Sequence, residues 1–136
     1  LGAKEVINRS EFEGDMKSPL AKPRWAAGVD AVGSDILSNL ITATHQRAAI
    51  ACCGMVGGVN LTTSIFPFIL RGLSLLGIDS AETLIDVKKE IWNNFSSDWK
   101  LEKINDQIKD VGLEELSSEI DKILKGQQVG RVRLKN

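Results

Sequence analysis

Cys53-Gly-Met-Val-Gly-Gly-Val-Asn60, followed by Phe66-Pro-Phe-Ile-Leu-Arg-Gly72 and Leu75-Leu-Gly-Ile-Asp-Ser80, decides how this chain is read. Before it stands Arg47-Ala-Ala-Ile-Ala-Cys-Cys53, apolar after its first residue and ended by Gly54. A continuous apolar run of this kind suits a strand covered on both faces, as in parallel sheets flanked by helices. Gly54, Gly57 and Gly58 let the backbone turn tightly and approach another group closely. Ser64 to Leu70 then reads as a short helix, with Pro67 tolerable only in its first turn. Leu73 to Ile78 reads as a further strand.

Outward from that stretch the same alternation continues. Trp25-Ala-Ala-Gly-Val-Asp-Ala-Val32 is a small, apolar strand candidate ending at Gly33. Ser34 has the chemistry of an N-cap, and Ile36, Leu37, Leu40 and Ile41 follow at helical spacing. Glu5 to Asn8 is a short strand candidate, and the polar segment Ser10 to Arg24 reads as a loop with a short surface helix. Downstream, Leu84, Ile91 and Phe95 mark one side of a helix over about Ala81 to Ser96. Ile104 to Val111 is weakly patterned and extended. Leu113, Leu116, Ile120, Ile123 and Leu124 line one side of a strongly amphipathic helix. Arg131 to Lys135 alternates as a half-buried strand does. Strands alternating with helices predict an α/β fold with a parallel sheet.

The 136 residues are 43% hydrophobic and 26% charged, the composition of an ordinary globular domain. A net charge of −1 gives no electrostatic reason to expect nucleic acid or an anionic membrane as partner. No apolar run approaches the roughly 20 residues that span a bilayer, and no secretory leader pattern opens the chain. Cys52 and Cys53 are adjacent, so on a strand they face opposite ways and are poor disulfide partners. With a single histidine, His45, and no Cys-x-x-Cys, no zinc ligand set is expected. These features point to a reduced, cytoplasmic protein. His45 reads as a surface or capping residue and the Glu114 to Asp121 run as a solvated helix face. Trp25, Trp92 and Trp99 are scattered and suggest no stacking platform.

On Pro67-Phe-Ile-Leu-Arg-Gly72 and Leu76-Gly-Ile-Asp-Ser80, and more diffusely from Leu1 to Lys135, the sequence resembles the zinc-free medium-chain dehydrogenases. The branch is that of acryloyl-CoA reductases and quinone oxidoreductase-like proteins. The resemblance implies a partial Rossmann-type parallel sheet holding the later strands, plus a C-terminal segment returning to a catalytic domain. It divides the chain into residues 1–101, NADPH-binding, and 102–136, part of the catalytic domain. It also implies an NADPH-dependent oxidoreductase that transfers hydride to an activated alkene such as an enoyl-CoA, or to a quinone-like substrate, and a homo-oligomer. The glycine-rich phosphate loop is expected upstream of these residues, so the chain reads as a C-terminal fragment, inactive alone.

By that resemblance Arg9, Gly33, Gly54, Met55, Ile69, Ser80 and Gly126 fall on cofactor-binding positions. Arg9 suits a 2′-phosphate because its planar fork offers several donors, though a solvated surface arginine would look the same. Gly33 ends a strand before a helix, where α/β sheets bind ligands. Gly54 lets the Met55 backbone approach a ligand. Ile69 would supply an apolar wall, and otherwise reads as core. Ser80 would be a polar contact, and otherwise an N-cap. Gly126 departs from an asparagine found in close relatives, which leaves only a backbone contact there. Cys53 reads as a small buried hydrophobe rather than a thiolate. No residue is assigned as a catalytic acid. The competing readings are a non-enzymatic remnant acting as an interaction or oligomerisation module, and another nucleotide-binding α/β protein such as a methyltransferase.

Overall fold

The computed structural model describes residues 3–13 and 18–135, which form two compact units, 4–83 and 84–135 with Ala3. Part of the Ser10–Arg24 loop, residues 14–17, lies outside the described residues, as do Leu1 and Gly2.

The first unit runs α1 (Arg9–Glu13), β1 (Gly28–Asp30), α2 (Ser34–Thr42), β2 (Ala49–Cys52), α3 (Phe66–Arg71) and β3 (Ser74–Gly77). Its sheet has the order β1-β2-β3 with every pairing parallel, Val29 opposite Ala51 and Ile50 opposite Leu75. Parallel strands need crossovers, and α2 and α3 provide them. Ile41 on α2 and Ile50 on β2 are fully buried, joined by Leu37, Ala48 and Leu73. Leu37 and Ile41 stand one turn apart, so one helix face meets the apolar central strand. The fold is an α/β Rossmann-type partial sheet, as the alternation of strands and helices implied.

Several local features depart from the sequence reading. Glu5–Asn8 is irregular, not a strand. The Asn8 side chain accepts hydrogen bonds from the Ser10 amide at 3.0 Å and the Ser10 hydroxyl at 2.9 Å, turning the chain into α1 instead. The Trp25–Val32 candidate shrinks to three strand residues, with Trp25 making an isolated bridge to Thr44. Ser34 does not cap α2: Gly33 is the N-cap, and Ser34 has φ +50° with no capping bond from its hydroxyl. Pro67 does fall in the first turn of α3, and Gly72 closes that helix in the left-handed region at φ +59°.

The second unit runs α4 (Ile85–Ser96), a 3₁₀ turn (Glu102–Gln107), β4 (Ile108–Val111), α5 (Leu113–Leu124) and β5 (Arg131–Leu134). α4 starts at Ile85 rather than Ala81 because the Asp79 carboxylate accepts from the Ala81 and Glu82 amides, holding a separate turn. β4 and β5 pair in parallel. The apolar side of α5 is largely exposed, and Glu119 is its buried residue. Trp92 and Trp99 are not scattered; both rings meet Phe95, with centroids 6.0 and 5.8 Å apart. The spacing of 92, 95 and 99 follows a helix face and carries that signal.

Candidate functional site

The carboxyl ends of β1 and β2 are stitched together by backbone. The Cys53 amide donates to the Asp30 carbonyl at 2.9 Å, the Gly57 amide to the Val32 carbonyl at 2.8 Å, and Gly33 bridges Gly58 in parallel. Asp30, an acid in an otherwise apolar strand, is buried there. Its carboxylate accepts from the Gly33 amide at 2.9 and 3.2 Å and from the Val32 amide at 3.3 Å. That carboxylate, not Ser34, organises the turn into α2.

Glycine is required where these ends meet. Gly33 has φ +78°, and a Cβ on it would lie 2.8 Å from the Gly58 carbonyl oxygen and 3.3 Å from the Met55 Cα. A Cβ on Gly54 would run into the Ala31 carbonyl. Gly57 is close enough to Arg9 that a Cβ there would lie 3.7 Å from a guanidinium nitrogen. Arg9, Gly33, Ser34, Asp35, Ile36 and Gly57 line one cleft of about 50 Å³. Two residues of opposite charge, Arg9 and Asp35, therefore border the cleft.

The structure thus brings Arg9, Gly33, Gly54 and Met55 together at one edge of the sheet. Met55 is exposed, and its carbonyl accepts from the Gly58 amide at 3.1 Å. Ser80 lies exposed just past β3, beyond the Ile78 amide that extends the ladder to the Cys52 carbonyl at 2.9 Å. It caps no helix. Ile69 stands exposed on α3 rather than in the core. Gly126 belongs to the second unit, where φ +67° ends α5.

Cys53 is exposed, not a buried hydrophobe, and its thiol donates to the Asp30 carbonyl at 3.3 Å. Cys52 is the half-buried member of the pair, 3.7 Å from an Asp30 carboxylate oxygen. Burial, and then the Asp30 charge, push the Cys52 thiol above its ordinary range. Neither cysteine has the electropositive surroundings of a reactive thiolate. Among the described residues no His, Cys, Asp and Glu side chains gather into a group that could hold a metal ion. Nor is any described helix long and apolar enough to cross a membrane.

No family model matches the chain. It is 38% identical over 99% of its length to YhfP of Bacillus subtilis, named as a quinone oxidoreductase, and covers 41% of that protein. It is 36% identical over 97% of its length to the acrylyl-CoA reductase AcuI of Ruegeria pomeroyi, covering 40% of it. The chain resembles a C-terminal segment of the acrylyl-CoA reductase and quinone oxidoreductase branch. The fold agrees: the crystal structure of B. subtilis YhfP with NAD bound superposes with a TM-score of 0.90 at 36% identity. That match covers 99% of this chain and 41% of the other. Escherichia coli YhdH with bound NADPH gives 0.88 at 32% identity, covering 98% of this chain and 41% of that one. The chain therefore spans about two fifths of the length of these relatives.

Three buried polar residues, Asp30, Asn39 and Arg71, were not singled out from sequence. Asp30 had a visible signal, as the acid ending an apolar strand. Asn39 and Arg71 had none, because their partners are backbone carbonyls.

Proposed function

We propose that this chain supplies the later part of the NADPH-binding fold of an oxidoreductase of the acrylyl-CoA reductase and quinone oxidoreductase type. Residues 1–101 belong to the cofactor domain and 102–136 to the catalytic domain. The substrate is an activated alkene of the enoyl-CoA kind or a quinone-like molecule, and the working protein is a cytoplasmic homo-oligomer. The observation that carries this reading is the meeting of Arg9, Gly33, Gly54 and Met55 at the carboxyl edge of a parallel sheet, where such folds bind nucleotides.

These residues fit a dinucleotide. Gly33 and Gly54 let the ends of β1 and β2 close tightly on one another beside the cleft, and Arg9 offers a guanidinium fork to a phosphate. Gly33, Gly54 and Met55 would hold the ribose and nicotinamide side, with Ile69 as an apolar wall and Ser80 as a further contact. When bound, the cofactor supplies the hydride, and the protein's part is orientation and exclusion of water. Gly-x-Gly-x-x-Gly does not occur within these 136 residues, so binding rather than turnover is the measurement suited to this chain.

Arg9→Ala should weaken NADPH binding about tenfold or more while leaving NADH binding nearly unchanged. Only NADPH carries the 2′-phosphate, and a charge-assisted hydrogen bond is worth about 1.5–3 kcal/mol. Titration of the 136-residue chain with both cofactors measures this. Equal losses would reject the phosphate role of Arg9.

A further inference from the structure

We infer that Asn39 is a positioning residue, holding α1 so that Arg9 stands at the cleft and sets the preference for a 2′-phosphorylated nucleotide. The inference rests on the role of Arg9 proposed above. Asn39 lies inside α2, where asparagine is a poor helix former, and it is only 4% exposed. A buried amide is costly unless it is hydrogen-bonded. Its Nδ2 donates to the carbonyl of Phe12 at 2.6 Å, a contact 27 residues apart in the chain that ties α2 to α1. A carbonyl needs a donor, so the nitrogen, not the oxygen, must face Phe12.

Phe12 is held from a second side. Its ring lies against Trp25, centroids 6.1 Å apart, and the Arg24 guanidinium sits 4.8 Å from the centroid of the Trp25 ring. Trp25 is fixed by backbone: its amide donates to the Ala43 carbonyl at 3.2 Å, and its carbonyl accepts from the His45 amide at 2.8 Å. The indole Nε1 of Trp25 and the Oδ1 of Asn39 are both buried without a protein partner, and the two residues border one internal cavity of about 10 Å³. Arg9 and Phe12 stand three residues apart on a helix of five residues, so they move as one body. Any slip of the Phe12 carbonyl is carried to Arg9 at the cleft.

The test uses the whole 136-residue chain, titrated with adenosine 2′,5′-bisphosphate and with 5′-AMP and followed by NMR. Asn39→Asp keeps the shape and an acceptor but removes the donor; Asn39→Ala removes both and introduces no charge. Each is expected to lower affinity for the bisphosphate about tenfold, toward the Arg9→Ala value, with 5′-AMP affinity unchanged. Arg9→Ala combined with Asn39→Ala should then bind no more weakly than Arg9→Ala alone, because both act through one group. Unchanged hydrogen exchange at Ile50 and Ala51 certifies an intact sheet. Equal losses for both nucleotides, or a wild-type preference in the Asn39 variants while Arg9→Ala abolishes it, overturns the inference and leaves the Arg9 reading standing. A preference that survives Arg9→Ala, or a wild-type chain that shows none, rejects the Arg9 reading and this inference with it.

Discussion

Arg71 carries a full charge into the interior, only 8% exposed, and meets backbone there. Its guanidinium donates to the carbonyls of Thr42 at 2.7 Å, Thr44 at 2.9 Å and Ala21 at 2.5 Å. Two of those carbonyls lie at the end of α2, where the helix dipole is negative and favours a cation. Five donors in a rigid fork suit three separated acceptors, which a single ammonium does not match. Arg71→Met should therefore destabilise residues 4–83 by about 1–3 kcal/mol or more, the cost of leaving buried carbonyls without their donor. Arg71→Lys should fall between that and wild type. Native-state hydrogen exchange at Ile50 measures both, and a Met variant within about 0.5 kcal/mol of wild type, the usual range of surface changes, would show the network to be dispensable. Arg71 also marks a limit of sequence reading. Gly33 was legible because its requirement is local, a turn with positive φ; the need for glycine at position 54 comes instead from the distant Ala31 carbonyl. The partners of Arg71, Asp30 and Asn39 are backbone groups, which every residue carries, so no residue type at position 21, 42 or 12 betrays the contact.

β4, β5 and α5 show the same contrast for whole elements. β5 and α5 were legible because alternation at 131–135 and helical spacing at 113–124 are strong periodic signals, whereas β4 lay in the weakly patterned stretch Ile104 to Val111. What they bury was not legible. The apolar side of α5 stays largely exposed, while Glu119 turns inward between Lys109 and Lys122, each 2.7 Å from the same carboxylate oxygen. Those two hydrogen bonds hold the Glu119 carboxyl below its ordinary range. Across the strand pair, Asp110 accepts from Arg133 Nε at 2.7 Å and lies 2.9 Å from Lys135 Nζ, and these hydrogen bonds hold it well below the usual carboxylate range. A carboxyl whose pKa is depressed on folding contributes stability that is complete above its unfolded pKa and is lost as pH falls through the folded value. Residues 84–135 should accordingly keep their stability down to about pH 4 and lose it progressively below. Glu119→Gln should lower stability at neutral pH and flatten that acid loss. Hydrogen exchange of β4 and β5 across an acid series tests it; an equally steep loss in Glu119→Gln would clear the carboxylate of the role. Glu5–Asn8 failed as a strand for the opposite reason. A strand needs a neighbour, and the Asn8 side chain offered the chain a helix turn instead.

At the scale of the whole molecule, the order β1-β2-β3 corresponds to the fourth, fifth and sixth strands of the Rossmann order 3-2-1-4-5-6. β1 would then have the first strand of that order on its other side. Among the described residues it pairs only with β2, and Val29 is 78% exposed. Asp30 turns its carbonyl toward β2, accepting the Cys53 amide, so by the alternation of a strand the Val29 amide and carbonyl face the open edge. Water satisfies those groups, so no orphan forces association; what remains is a short template for another strand. The expected consequence is weak self-association through β1. Sedimentation should show the average mass rising with concentration, and the Val29 amide should exchange freely when dilute and become protected as the mass rises. Val29→Pro removes the amide at a position that edge strands tolerate, and should hold the chain monomeric while leaving the amides of β2 protected. Association that persists in Val29→Pro would place the contact elsewhere. A Val29 amide protected at every dilution would mean that β1 has found a partner within its own chain, so that the edge seen here is not the one present in solution.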